Sequence, residues 1–275
     1  MRDILVVIER KESVKPMLKK ALKFAPESIT VLYIANDLLD SNVEALHRLI
    51  DTEVNQACKT TILLEAAETA PEREELLLKT LSNHQFDTTF LHRPQLGRET
   101  LDFSLIKAAL KGPVKSSVLL CGDNRWRGQP KLLGTVDIFT RTPAQKELND
   151  KVLMTSAHLA NKLSAEVSVL GVIPIPRIKQ EFDITEPGEV MVKRGKESKQ
   201  KLQQIVEETG VFTDYNAKIE AGSAYVLIPS VASKMKANLV VIGNVGRKGI
   251  KGFLIGNTAE KILNRLTVDV LIVRQ

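Results

Sequence analysis

The second half of the sequence alternates short apolar runs with longer amphipathic ones. Each apolar run has the length and β-branched content of a buried strand, and each amphipathic run has helical spacing. Strands alternating with helices predict a parallel sheet covered on both faces, which is an open α/β sandwich. The expected strands are 131–138, 165–175, 215–222, 238–243 and 268–274.

The first half starts in the same way. It predicts strands at 3–9, 28–35, 86–94 and 116–122, and one long helical stretch from about Asn42 to Asn83 that is broken near Pro71. The fourth strand expected between 86–94 and 116–122 is missing from the pattern. The polar segment 123–130 contains Gly and Pro and is typical of a linker. We therefore predict two tandem α/β domains, residues 1–127 and 128–275, of which the first is shortened.

Composition and charge limit the class of protein. Of 275 residues, 43% are hydrophobic and 26% are charged, as in globular proteins with a sizeable core. The net charge of +6 lies in residues 131–275, which carry 21 basic and 15 acidic side chains. A basic half raises the question of nucleic acid, but no nucleic-acid-binding motif is recognisable. A local anionic ligand explains the excess of basic residues equally well. We therefore do not expect nucleic acid as a partner.

Localisation and metal binding are predicted from what the sequence does not contain. No apolar run reaches the roughly 18–20 residues of a membrane span, and the N-terminus does not resemble a signal peptide. Cys58 and Cys121 are not in a metal-binding or disulfide pattern, and the four histidines are scattered. We expect a cytoplasmic protein with reduced thiols, no membrane contact and no metal site of its own.

The most unusual stretch is "GNVGRKGIKGFLIGNTAEKILNRL", residues 243–266, which holds five glycines. It follows a predicted strand end and leads into a helix, so its backbone N–H groups and the helix N-terminus can cradle an anion. Gly243 and Gly246 would allow positive φ, and Gly256 would do the same before the helix. Asn257 and Glu260 fit a capping-box-like pair. A long loop with an ordinary helix cap is the alternative reading.

This stretch carries a family resemblance. Gly243-x2-Gly246-x9-Gly256, followed by a small polar residue, a short helix and a last strand, resembles the ATP-binding signature of universal stress proteins. The resemblance covers residues 131–275 as one domain, and residues 1–130 resemble a degenerate copy. The chain is therefore similar to tandem universal stress proteins of the E type. Asn257 departs from the signature, which usually has Ser or Thr there.

The resemblance implies a ligand and its contacts. ATP, with Mg²⁺, or a related phosphorylated molecule would bind the second domain. Asp137 would lie near the adenine and ribose, and the backbone of Val172 would meet the adenine ring. The cation Arg247 would pair with phosphate or remain solvated. The phosphate-binding positions would be Gly243, Gly246, Gly256, Asn257 and Thr258.

The first domain is expected to bind no nucleotide. Gly97 is the only glycine in residues 1–111, so no glycine cradle can form, and Glu9 matches Asp137 without a partner loop. The family further implies pairing of the two domains along their last strands, residues 116–122 with 268–274, or a homodimer. A scaffold, or a binder of an apolar ligand, on the same fold is the alternative function. No catalytic motif is recognisable, so we expect no enzyme, with slow ATP hydrolysis left open.

Overall fold

The computed structural model divides the chain into two compact units. Unit 1 comprises Met1–Arg125 together with Lys248–Leu254, and unit 2 comprises Trp126–Arg247 and Ile255–Gln275. Within the described part of the chain, no helix is both long and apolar enough to cross a membrane. The structure describes residues 1–36, 40–93, 103–111, 116–122, 124–175, 186–244, 247–249, 252–254 and 257–274.

Unit 1 is a five-stranded parallel sheet with helices between successive strands. Its elements are β1 (Asp3–Ile8), α1 (Lys11–Lys23), β2 (Ser28–Ala35), α2 (Asp40–Val54), β3 (Lys59–Ala66), α3 (Ala70–Asn83), β4 (Thr88–His92), α4 (Phe103–Lys111) and β5 (Ser117–Cys121). The strand order is β3-β2-β1-β4-β5, with every neighbouring pair parallel. The central strand β1 is apolar and buried from Ile4 to Ile8, as expected where both faces of the sheet are covered.

The prediction that unit 1 lacks a strand is wrong. Residues 42–83 are not one broken helical stretch, because β3 lies between α2 and α3 and pairs with β2 along its whole length. The segment "LLEAAE" consists of good helix formers, which concealed the strand. Its side chains are partly exposed, so the buried-strand pattern is absent. Thr69 begins α3 with a complete capping box to Glu72, which marks where the strand gives way to helix.

Unit 2 repeats the architecture. Its elements are β6 (Lys131–Val136), α5 (Pro143–Leu163), β7 (Glu166–Pro174), α6 (Pro187–Thr209), β8 (Asn216–Gly222), α7 (Ala224–Lys234), β9 (Leu239–Asn244), α8 (Asn257–Arg265) and β12 (Asp269–Arg274). The parallel strand order is β12-β9-β6-β7-β8. Two further short strands, β10 (Arg247–Gly249) and β11 (Gly252–Leu254), form a separate small sheet, and apart from Arg247 they belong to the segment grouped with unit 1. The α/β sandwich prediction is confirmed.

Two helices of unit 2 begin earlier than the sequence pattern predicts. The segment 139–150 reads as a polar break, yet α5 starts at Pro143, where Thr142 caps it by accepting from the Gln145 N–H. Proline at the first helical position and threonine before it are typical of a helix start. The helix α6 also starts at a proline, Pro187, and ends at Gly210, whose φ of 62° suits glycine.

The predicted linker holds a buried tryptophan. Trp126 is only 7% exposed, and its indole Nε1–H donates to Asp269 Oδ2 at 2.9 Å. Asp269, at the start of β12, is itself 2% exposed. A buried carboxylate requires hydrogen bonds of this kind. Residue 126 is therefore part of the packed interior of unit 2. The predicted pairing of residues 116–122 with 268–274 stays a prediction.

Strand order reverses at one central strand in each unit. In unit 2, β7 and β8 lie on one side of β6 and β9 and β12 on the other; in unit 1, β1 has the same position. Connections that leave a parallel sheet in opposite directions open a crevice at the carboxyl ends of the strands, where α/β proteins bind ligands. In unit 2, the segments at this crevice are the ones that follow β6, β7, β8 and β9.

Candidate ligand-binding site

A cavity of about 590 Å³ lies at the carboxyl ends of the unit 2 strands. Its size is within the range of small-molecule sites. The strands β6 to β9 and the helices α5, α7 and α8 all contribute to its wall. Its lining residues are Thr135, Val136, Asp137, Gln145, Asn149, Val152, Leu170, Val172, Pro174, Gly222, Ala224, Ile228, Ile242, Gly243, Asn244, Thr258, Ala259 and Ile262.

Four of the eight predicted site residues line this cavity: Asp137, Val172, Gly243 and Thr258. They come from three different strand ends and one helix start, separated by up to 121 positions in the numbering, and the fold brings them together. Of the remaining four, the backbone of Arg247 lies in β10 and Asn257 begins α8. Gly246 and Gly256 lie outside the described residues.

Asp137 is fixed by a neighbouring amide. It follows the last residue of β6, where its backbone leaves the sheet. The side chain of Asn149, on α5 and 3% exposed, replaces the lost sheet partners: its Oδ1 accepts from the Asp137 N–H at 3.1 Å and its Nδ2 donates to the Asp137 carbonyl at 2.8 Å. The Asp137 carboxylate Oδ1 accepts from the Phe139 N–H at 2.9 Å. The carboxylate is otherwise exposed at the cavity wall.

Gly243 is required for packing rather than for conformation. The sequence predicts positive φ here, and this is wrong: Gly243 is an ordinary residue of β9 and is absent from the positive-φ glycines of the described chain. A Cβ at this position would lie 2.7 Å from Cγ of Leu148 and 2.8 Å from its Cδ2. Glycine therefore lets α5 pack closely against the end of β9, beside the cavity.

The lining divides into an apolar wall and a polar edge. Among the described residues that line the cavity, Asp137 carries the only charged side chain. Thr258 is in the first turn of α8, so the N-terminal end of that helix meets the cavity. A helix N-terminus favours anions, because its N–H groups and dipole present positive charge. The apolar wall is formed by Val136, Val152, Leu170, Val172, Ile228, Ile242 and Ile262.

Sequence reasoning missed two residues of this site. Asn149 is a buried amide on the mostly apolar inner face of α5, and that interruption of the pattern was the available signal. Gly222 ends β8 with φ of 144°, a conformation that glycine adopts readily, and it also lines the cavity. Its signal was a glycine at a predicted strand end, outside the glycine-rich stretch.

The matching edge of unit 1 is filled by an arginine. Arg73, in the first turn of α3, lies 3.3 Å from the Glu9 carboxylate and donates to Asn36 Oδ1 at 3.2 Å and to the Glu68 carbonyl at 3.4 Å. These three partners follow β1, β2 and β3 in turn. In unit 2 the corresponding helix, α7, instead contributes Ala224 to the cavity wall. Unit 1 thus closes its strand ends with its own side chains.

No group of three or more His, Cys, Asp or Glu side chains is placed to hold a metal ion in the described residues. Cys58 is half-buried, and burial raises the pKa of its thiol. Cys121 is buried in β5.

The comparisons with known proteins agree with this architecture. The model of the universal stress protein family matches residues 144–274. This part of the chain is a universal stress protein domain. The match begins within α5 and contains the predicted glycine-rich stretch, so it covers most of unit 2.

Curated relatives carry the same family name. The universal stress protein E homolog of Haemophilus influenzae is 25% identical over 200 residues, covering 72% of this chain and 61% of the relative. Universal stress protein E of Escherichia coli K12 is 28% identical over 165 residues, 58% of this chain and 51% of the relative. The matched regions thus span between half and two thirds of these longer proteins.

Solved structures extend the likeness to both units. A universal stress protein from Archaeoglobus fulgidus has a TM-score of 0.67 at 16% identity, covering 99% of this chain and 98% of that one. A protein of unknown function from Pseudomonas aeruginosa PAO1 has a TM-score of 0.73 at 22% identity, covering 100% and 92%. At such identities the likeness concerns the fold.

Proposed function

We propose that this chain is a cytoplasmic stress-response protein that binds one ATP, or a related phosphorylated nucleotide, in the unit 2 cavity. The observation that carries the proposal is the convergence of Asp137, Val172, Gly243 and Thr258 on one cavity of about 590 Å³. These four residues are among those that the resemblance to universal stress proteins predicts to contact ATP. The fold places them at the strand ends where order reverses.

The nucleoside end would lie between Asp137 and the apolar wall. A carboxylate accepts hydrogen bonds only, so Asp137 suits the hydroxyls of a ribose or an amino group. The flat, apolar faces of a purine suit the side chains of Val152, Leu170 and Val172, which bury them from water.

The phosphate end would lie toward the start of α8. Thr258 lines the cavity there, and its hydroxyl is able to donate to a phosphate oxygen where the family signature has Ser or Thr one position earlier. The helix N-terminus adds favourable charge. Any Mg²⁺ would arrive with the nucleotide and be held mainly by its phosphates, which is the usual mode for this ion.

A second candidate is an apolar ligand in the same cavity. The extent of the apolar wall favours it, since Asp137 is the one charged side chain among the described lining residues. A long apolar molecule would use the wall formed by Leu170, Ile242 and Ile262 and would leave the carboxylate solvated.

The deciding experiment identifies any small molecule released from the protein and then measures nucleotide binding by titration. Full-length protein is purified without added nucleotide and denatured, and the released small molecules are identified by mass spectrometry in aqueous and organic extracts. Isothermal titration with ATP, ADP and adenosine, each with and without Mg²⁺, follows. Nucleotide at about one per chain, or saturable ATP binding, supports the proposal. An apolar molecule in the organic extract, with no ATP binding, supports the second candidate and refutes the first.

Matched variants locate the site. Asp137→Asn keeps the shape of the side chain and removes its charge, and should weaken ATP binding about ten- to hundredfold, the usual loss for a hydrogen bond to a charged group. Glu9→Gln makes the same change after β1 of unit 1 and should leave affinity unchanged. Equal losses in the two variants would contradict a site in unit 2. We propose binding without assigning a reaction, and phosphate release from ATP measures any turnover.

A further inference from the structure

Asn149 makes a pair of hydrogen bonds that neither a helix cap nor an ordinary core residue would need. It lies in the second turn of α5, is 3% exposed, and uses both ends of its amide on one residue, Asp137. The N–H and C=O of Asp137 leave the sheet at the end of β6 and would lack partners. A primary amide supplies one acceptor and two donors, so asparagine satisfies both groups at once. Aspartate would offer no donor, and serine would reach only one of them.

The chain beyond Asp137 is fixed as well. The Phe139 N–H donates to Asp137 Oδ1, and the Phe139 ring packs beside the buried cluster of Ile173, Ile175 and Ala221. Two cations cover that ring, with Arg194 at 4.9 Å and Lys201 at 5.2 Å from its centroid. These contacts restrain the loop after β6 and leave little freedom to the carboxylate.

One oxygen of the carboxylate remains for a ligand. Oδ1 is engaged by Phe139, and within the described chain Oδ2 makes no hydrogen bond with the protein. Because Asn149 fixes the backbone and Phe139 fixes Oδ1, the direction of Oδ2 at the cavity wall is set before any ligand arrives. Preorganised acceptors bind more tightly, since no conformational freedom is lost on binding.

We propose that Asn149 is a positioning residue for ligand recognition, acting through Asp137. This inference rests on the proposed function: the ligand presents a donor, such as a ribose hydroxyl, to Asp137 Oδ2. Asn149 itself need not touch the ligand, although it lies at the cavity wall. Its loss lets the Asp137 loop move and lowers affinity for every ligand that uses the carboxylate.

A double-mutant cycle separates positioning from a general structural role. ATP affinity is measured by titration calorimetry for the wild type, Asn149→Ala, Asp137→Ala and the double variant. We expect Asn149→Ala to weaken binding about tenfold in the wild type and less than twofold once Asp137 is removed, because residues that act through one another are not additive. Ser156→Ala, a buried substitution farther along α5, is the matched control and should leave affinity unchanged.

A second variant covers the case in which the first does not fold. Asn149→Leu roughly keeps the size of the side chain, adds no charge and can neither donate nor accept at Asp137, so it should also weaken binding only when Asp137 is present. Hydrogen exchange of the Asp137 amide gives a readout free of ligand, and should be faster in Asn149→Ala than in Ser156→Ala.

Two negative results have different meanings. If the wild type binds none of ATP, ADP and adenosine, the proposed function is refuted, and the role of Asn149 falls with it. The second result is that the wild type binds ATP but the losses of affinity in Asn149→Ala and Asp137→Ala are additive in the double variant. In that case the nucleotide site stands and the positioning role is refuted.

Discussion

Gly243→Ala tests whether close packing, rather than backbone conformation, requires glycine beside the cavity. The added Cβ would lie 2.7 Å from Leu148 Cγ, 2.8 Å from its Cδ2 and 3.3 Å from its Cδ1. Favourable carbon–carbon contacts lie at roughly 3.5–4.0 Å, so two of these three are strongly repulsive. Leu148 is fully buried and cannot move aside freely. Overpacking of a core by one methyl group typically costs about 1–3 kcal/mol, and we expect a loss of that size.

Removing the opposing atoms should reverse the effect. Leu148→Ala deletes all three atoms that the new Cβ meets, and alone should cost about 2–5 kcal/mol as a large-to-small core substitution. In that background Gly243→Ala should cost nothing or restore some stability, because the methyl group enters the vacated space. Gly188→Ala is the control, since a Cβ there meets nothing within 4 Å.

Urea denaturation followed by circular dichroism measures the free energy of unfolding for the wild type, the three variants and the control. Hydrogen exchange of the β9 amides assigns any loss to unit 2. The reasoning is refuted if Gly243→Ala is as stable as the wild type, or if its cost in the Leu148→Ala background is undiminished. Either result would show that α5 yields at this point without strain.

Three further outcomes are expected. Gly134→Ala places a Cβ 2.8 Å from Ser156 Oγ and should cost about 1–3 kcal/mol in urea denaturation. Ser156→Ala removes a hydroxyl that has no hydrogen-bond partner among the described residues, so it should be nearly neutral and should relieve that cost. Glu53 accepts from Lys15 at 2.8 Å, which lowers the pKa of its carboxyl. This pair therefore stabilises the fold above the ordinary glutamate pKa and less as the pH falls through the lowered one, so Glu53→Gln should cost about 0.5–1 kcal/mol at neutral pH and nothing in acid. Arg73→Met should lower the melting temperature of unit 1 in calorimetry while ATP affinity stays unchanged; weakened binding would contradict the separation of the units' roles.

Local sequence pattern was sufficient where a strand is rich in apolar and β-branched residues. The strand 28–35 was predicted to the residue, because β2 consists mostly of such residues. The strand β3 was missed because its side chains are partly exposed and its residues favour helix in isolation. Its identity comes from pairing with β2, which is a tertiary contact that no local pattern contains.

The position of the cavity was predictable, but the contacts that support its wall were not. Asp137 was found because it ends an apolar run, and Gly243 because it begins a glycine-rich stretch. The reason given for Gly243 was wrong, since the Leu148 contact comes from a helix 95 positions away in the sequence. Asn149 was missed because its role also depends on a contact made only in the fold. Its two hydrogen bonds are to the backbone of Asp137, and the side chain of that residue does not reveal them.

The buried Trp126 has a practical consequence for every experiment above. It is the only tryptophan in the chain, and it lies in unit 2 with its indole donating to Asp269. Selectively excited fluorescence therefore reports the unfolding of unit 2 alone, whereas circular dichroism reports both units together. Where the two transitions differ, the difference reports the unfolding of unit 1, so the intact chain carries a spectroscopic probe specific to unit 2.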